Sequence, residues 1–88
     1  MKFNAWSKKR IRNGTKRLTS RRENQESDPD VLYVVGPMPW QFIKHYLYRA
    51  EGAESPEELQ RVINQIFRRI VRPYEIFYVH VLKPELEV

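Results

Sequence analysis

Residues 11–21 read Ile-Arg-Asn-Gly-Thr-Lys-Arg-Leu-Thr-Ser-Arg, and they hold the chain's densest group of chemically active side chains. Gly14 marks a turn with free backbone donors. Lys16 follows at once, then Thr19, Ser20 and Arg21. Hydroxyls, an ammonium and a guanidinium thus share one strand length, a set that suits phosphate or the polar edge of a base. Strict alternation places Thr19 and Arg21 on one face and Lys16 on the other. Lys16 sits at the turn exit, however, where the pleat is not yet fixed and its long stem has reach. An ordinary exposed basic strand has the same composition, so residue types alone leave both readings open.

Other chemistries find little support. His45 and His80 stand far apart, with no paired ligand spacing, and each reads as a surface or internally satisfied histidine. The chain has no cysteine, which excludes thiol catalysis and Cys-based zinc sites. Its three glycines are isolated, so no phosphate-binding glycine loop is present, and there is no serine nucleophile elbow. No metal and no cofactor are expected.

The elements that must position the basic segment follow from pattern. Residues 2–6 alternate and predict a short strand. Ser7 then caps a brief helix through Asn13, which Gly14 stops. Residues 16–22 predict a strand and residues 23–30 a polar loop. The β-prone run Val31–Val35 predicts a strand buried on both faces and closed by Gly36-Pro37. Pro39 opens a helix to about Arg49, with Trp40, Ile43 and Leu47 on one stripe widened by Phe42 and Tyr46. Ser55-Pro56-Glu57-Glu58 is the clearest helix start, with Glu58 completing a capping box. Leu59, Val62, Ile63, Ile66, Phe67 and Ile70 follow as an apolar stripe, and Pro73 ends it. Residues 75–82 predict the last strand, with Phe77, Val79 and Val81 facing one way. Helices grouped between strands argue for an α+β fold. Four to five short strands would form a partly open barrel with flanking helices.

At 88 residues the chain makes one domain with a thin stability margin. Its charge is segregated. The first 22 residues carry nine Lys or Arg and no acid, whereas the rest carry seven cations against eleven anions. Such a patch attracts polyanions and speeds their encounter. The lack of cysteine favours a reducing compartment, and with no apolar run long enough to span a bilayer the expected location is cytoplasmic. The sequence leaves the oligomeric state open, with a monomer favoured.

The run Gly14-x-Lys16-x-x-Thr19-x-Arg21, preceded by a short helix with Ile11, resembles the signature of ASCH domains, the activating-signal-cointegrator homology family of the PUA-like superfamily. Glu51-Gly52-Ala53-Glu54-Ser55-Pro56-Glu57-Glu58-Leu59 is similar to that family's acidic-glycine turn and main helix. Phe77-Tyr78-Val79-His80-Val81 is similar to its closing strand. The resemblance implies a small PUA-like β-barrel, a cleft holding the Gly-Lys-Thr-Arg strand, and RNA as the ligand class. It also implies that some small members deacylate a modified nucleoside, with Lys16, Thr19 and Glu51 at the matching positions. Two features depart from the pattern. Asp28-Pro29-Asp30-Val31 supplies the acid but not the glycine of the next strand, and only one clear strand lies between Arg22 and the helices.

Two functions follow. In the first, an RNA-binding domain, Lys8, Lys9, Arg10, Arg12, Arg17 and Arg22 hold phosphates, Lys16, Thr19 and Arg21 line the cleft, and Trp6, Trp40 or Tyr33 stacks a base. Trp40, on the apolar stripe, is also expected in the core. In the second, a nucleoside amidohydrolase acting on a modified cytidine, Lys16 serves as base for Thr19 or for a water, and Glu51 donates a proton to the leaving amine. The competing view of Glu51 is an acidic residue in a helix–helix turn.

Overall fold

The computed structural model describes Met1–Val88 as an α+β fold: α1 (Ala5–Arg12), β1 (Leu18–Arg21), β2 (Val31–Pro39), α2 (Trp40–Tyr46), α3 (Pro56–Phe67) and β3 (Ile76–Leu82). The three strands form one antiparallel sheet in the order β1-β3-β2. No helix is long and apolar enough to cross a membrane.

The N-terminus differs from expectation. Residues 2–6 form no strand, and α1 begins two residues before Ser7. The reason is the cap: Asn4 Oδ1 accepts from the Ser7 amide at 2.8 Å, and asparagine is as good a helix start as serine. With that segment helical, the sheet has three strands rather than four or five. The turn after α1 does use Gly14 at a left-handed φ of 81°.

β2 also departs from its reading. It lies at the edge of the sheet, and Leu32, Tyr33 and Val35 are exposed rather than buried on both faces. It runs through Gly36-Pro37 instead of stopping there, with a break in register between Val35 and Met38. An edge position tolerates the missing proline donor. The strand buried on both faces is the central one, β3, where Phe77, Val79, His80 and Leu82 are all enclosed.

The core gathers Trp40, Ile43, Ala53, Leu59, Ile63, Val71, Phe77 and Val79. Phe77 is its hub, with ring centroids 5.5 Å from Trp40 and 5.7 Å from Phe67. Phe42 and Tyr46 do not widen the α2 stripe. They pack against each other on the exposed side, with tilted rings whose centres are 4.9 Å apart. On α3 the Ser55 hydroxyl accepts from the Glu58 amide at 3.0 Å, while the Glu58 carboxylate reaches the Glu54 amide rather than that of Ser55. The helix ends earlier than Pro73 because Arg68 turns left-handed at φ 57°. Ile70 therefore falls outside the helix and is 61% exposed, and Val71 takes the buried place. Asn64 fixes that exit: its Oδ1 accepts from the Val71 amide at 2.9 Å.

Candidate functional site

The turn between α2 and α3 is the organising feature. Three of its successive carbonyls receive donors from the basic N-terminal segment. Ala50 O accepts from the amides of Arg17 and Leu18 at 2.7 and 3.0 Å. Glu51 O accepts from Lys16 Nζ at 3.1 Å. Gly52 O accepts from Arg10 Nε at 3.1 Å. These bonds fasten the start of β1 to the turn and carry Glu51 inward. Gly52 makes the approach possible. It adopts φ +102°, and a Cβ there would lie 3.0 Å from Lys16 Cβ and 3.2 Å from Arg10 Cδ.

Glu51 meets two side chains. Lys16 Nζ donates to its Oε1 at 3.0 Å, and Ser20 Oγ donates to its Oε2. All three residues are nearly enclosed, at 6% exposure for Lys16, 3% for Glu51 and 8% for Ser20. A buried ion pair is sustained only when its remaining lone pairs and protons are satisfied. Here both carboxylate oxygens have donors, and no buried side-chain polar atom in the chain lacks a partner.

These groups open onto a cavity of about 180 Å³ between the N-terminal segment, β1 and α3. Its polar lining includes Lys16, Thr19, Ser20, Arg21 and Glu51, with Lys2, Asn4 and Ser7 at the N-terminal side. Its apolar wall comes from Trp6 and from Leu59, Val62, Ile63, Ile66 and Phe67 of α3. Ile66, expected in the core, is 49% exposed at this wall. Arg21 donates to Lys2 O at 2.6 Å, and its guanidinium stands 5.4 Å from the Phe3 ring centre. Burial lowers the Arg21 pKa from its ordinary value, an effect that the Glu51 and Asp28 carboxylates oppose.

Lys16, Thr19, Arg21 and Glu51 thus line one cavity. Within it, the hydroxyl bonded to Glu51 belongs to Ser20, not Thr19. Thr19 is buried, and its backbone carbonyl faces His80 Nδ1 at 3.3 Å. His80 Nε2 accepts from the Gln25 amide at 2.9 Å, which leaves Nδ1 as the ring N–H. This is an internally satisfied histidine that ties the 23–30 loop to the sheet. Sequence reasoning missed the part played by Ser20. No local signal marked it, because Lys16 precedes β1 and the partner that gives Ser20 its role, Glu51, lies 31 positions away.

The basic residues divide in two. Lys8, Lys9 and Arg17 are exposed and make no side-chain bond, whereas Arg12 and Arg22 are exposed but bonded. Arg10 is half-buried and held by the fold. Arg10 lies 4.0 Å over the Trp6 ring besides its bond to Gly52. Arg12 donates to Val88 O, and Arg22 pairs with Glu75 at 3.2 Å. Of the three aromatic residues read as base-stacking candidates, Trp6 lines the cavity. Trp40 is buried in the core, with its Nε1 donating to Gln60 and part of its surface on the cavity. Tyr33 is exposed on β2, away from the cavity. No group of three His, Asp or Glu side chains is placed to hold a metal ion.

Comparison with protein-family models, curated proteins and solved structures returns no match for this chain.

Proposed function

We propose that this chain is a small ASCH-like domain, with an abbreviated form of the PUA-like barrel, and that its cavity hydrolyses the amide of an acylated nucleobase such as an acylated cytidine. The observation that carries this reading is the Lys16–Glu51 pair, enclosed at 3.0 Å on the polar side of the cavity. A volume of about 180 Å³ corresponds to roughly six waters at their liquid share, enough for a single-ring base but below the usual range for larger ligands. The apolar wall of α3 and the Trp6 ring suit the faces of a planar heterocycle. The polar side suits its amide.

The geometry supports a particular division of labour. Glu51 takes a proton from the attacking hydroxyl or water and returns it to the leaving amine. Lys16 keeps its proton, steadies Glu51 and directs positive charge at the oxyanion. This exchanges the two proton-handling roles expected from sequence, because Lys16 bonds Glu51 and no hydroxyl. Release of free cytidine from an N4-acylated cytidine by the parent chain, and its loss in Glu51→Gln, tests the reading.

A second reading, RNA binding, is favoured by one observation: Lys8 and Lys9 on α1 and Arg17 beside β1 remain exposed. They would hold phosphates while the cavity receives one base. Salt-dependent RNA binding that survives Glu51→Gln would support this reading even without turnover.

A further inference from the structure

We propose that Ser20 is the nucleophile of this cavity, resting on the amide-hydrolysis reading above. A nucleophilic hydroxyl is recognised by a hydrogen bond to its base, with that base oriented in turn by a third group. Only one hydroxyl in the cavity meets the description. Ser20 Oγ already donates to Glu51 Oε2, and Glu51 Oε1 is held by Lys16 Nζ at 3.0 Å. Ser7 and Thr19 also border the cavity, but neither hydroxyl bonds Glu51. The Gly52 turn accounts for the contact, because it carries Glu51 inward to Ser20 while Lys16 Nζ holds both the Glu51 carbonyl and its Oε1.

The step balances. Ser20 Oγ attacks the amide carbonyl carbon while its proton passes to Glu51 Oε2. The negative charge gathers on the carbonyl oxygen, within the field of the Lys16 ammonium. The C–N bond breaks as Glu51 returns the proton to the departing amine, which leaves an ester on Ser20. Water then attacks that ester, gives a proton to Glu51, and Ser20 recovers its own as the acid departs. One amide and one water become one acid and one amine.

The test uses the full chain with p-nitrophenyl acetate as acyl donor and an N4-acetylated cytidine as substrate. The expected result is a burst of about one p-nitrophenolate per chain, with the acetyl group located on Ser20 by tandem mass spectrometry of the peptide that also contains Thr19. Ser20→Ala should slow the burst by about 10²-fold or more, and Ser20→Cys should retain it. If Ser20→Ala does not fold, mapping on the parent and on Ser20→Cys decides. An acetyl group on Thr19, no acetyl group on Ser20, or an undiminished burst in folded Ser20→Ala overturns the proposal. Turnover of the cytidine substrate without a Ser20 adduct also overturns it, while leaving the hydrolase reading intact. Acetylation of Ser20 without such turnover supports the nucleophile and removes the cytidine assignment instead.

Discussion

Lys16 Nζ and Glu51 Oε1 lie 3.0 Å apart although 35 positions separate them in the chain, and the rest of the site is arranged around that contact. Two ions enclosed in a domain this small carry a desolvation cost that apolar side chains would avoid. Glu51→Leu alone should therefore destabilise the fold by about 3–5 kcal/mol, because it strands the Lys16 ammonium. Combining Lys16→Met, Glu51→Leu and Ser20→Ala should recover much of that loss and abolish turnover. Thermal melts of the single and triple variants check this. A triple variant as unstable as Glu51→Leu would mean that the pair serves the fold rather than the cavity.

The α3 stripe gives a second outcome. Leu59 and Ile63 are buried, so truncating either to alanine should cost about 2–5 kcal/mol. Ile66→Ala should cost well under 2 kcal/mol, because half of that side chain already meets solvent. Its effect should appear in the cavity instead, as a raised KM for an acylated nucleoside with little change in melting temperature. Denaturant titration of the three variants, beside kinetics of Ile66→Ala, separates the core from the cavity wall.

Ile66 also shows what the sequence could and could not reveal. Helical spacing identified Leu59, Ile63 and Ile66 as one stripe, and the stripe exists. Periodicity does not say where a packed stripe passes from the core to the rim of a cavity. Lys16, Arg21 and Glu51 were legible as residue types, and the glycine at 52 marked the turn that joins them. Ser20 was not singled out because its role depends on a partner 31 positions away. The α1 boundary was missed for a local reason, since Asn4 and Ser7 are both good caps and only one is used. The edge position of β2 depends on strand order, which an apolar run does not encode.

Glu75 supplies a pH dependence. Arg69 donates to both of its carboxylate oxygens at 2.7 Å, and the Arg72 amide adds a third bond. The Arg69 hydrogen bonds, followed by that amide, lower the Glu75 pKa to about 2. A carboxylate with a lowered folded-state pKa favours the fold above its ordinary value, and that contribution fades as the pH falls toward the folded value. Stability should therefore decline between about pH 4.5 and 2. Glu75→Gln should flatten this part of the acid limb. The slope that remains should include Asp28, whose pKa is also lowered, chiefly by the Asp30 amide. Urea midpoints of parent and variant across that range are the measurement, and parallel curves would contradict it.

The basic surface should divide under mutation as it divides in the structure. Lys8→Ala with Lys9→Ala should leave the melting temperature nearly unchanged and flatten the salt dependence of RNA binding, by about 0.7–0.9 in log–log slope for each phosphate no longer neutralised. Arg10→Ala should lower the melting temperature as well, because Arg10 caps Gly52 O and covers Trp6. Equal melting temperatures for the two variants would mean that Arg10 belongs to the free surface.

Gly52 offers the most direct test of how the fold builds the cavity. Its φ of +102° lies in a region that side chains rarely adopt, so alanine there carries backbone strain of about 1–3 kcal/mol. The added Cβ would also lie 3.0 Å from Lys16 Cβ, and 3.2 and 3.3 Å from Arg10 Cδ and Cβ. The Arg10 side chain has some freedom to yield. Lys16 Cβ is one bond from the backbone that Ala50 O anchors through Arg17 and Leu18, so it has little. Relief must come from the turn moving outward, and Glu51 would move with it, away from Lys16 and Ser20. Gly52→Ala should therefore lower both stability and kcat. By contrast, Gly14→Ala meets no atom within 4 Å and should cost only the strain of its φ of +81°, with kcat retained. Melting curves and single-turnover rates for the two variants give the comparison. If Gly52→Ala lost stability but kept the full rate, the position of Glu51 over Ser20 would not be what sets catalysis.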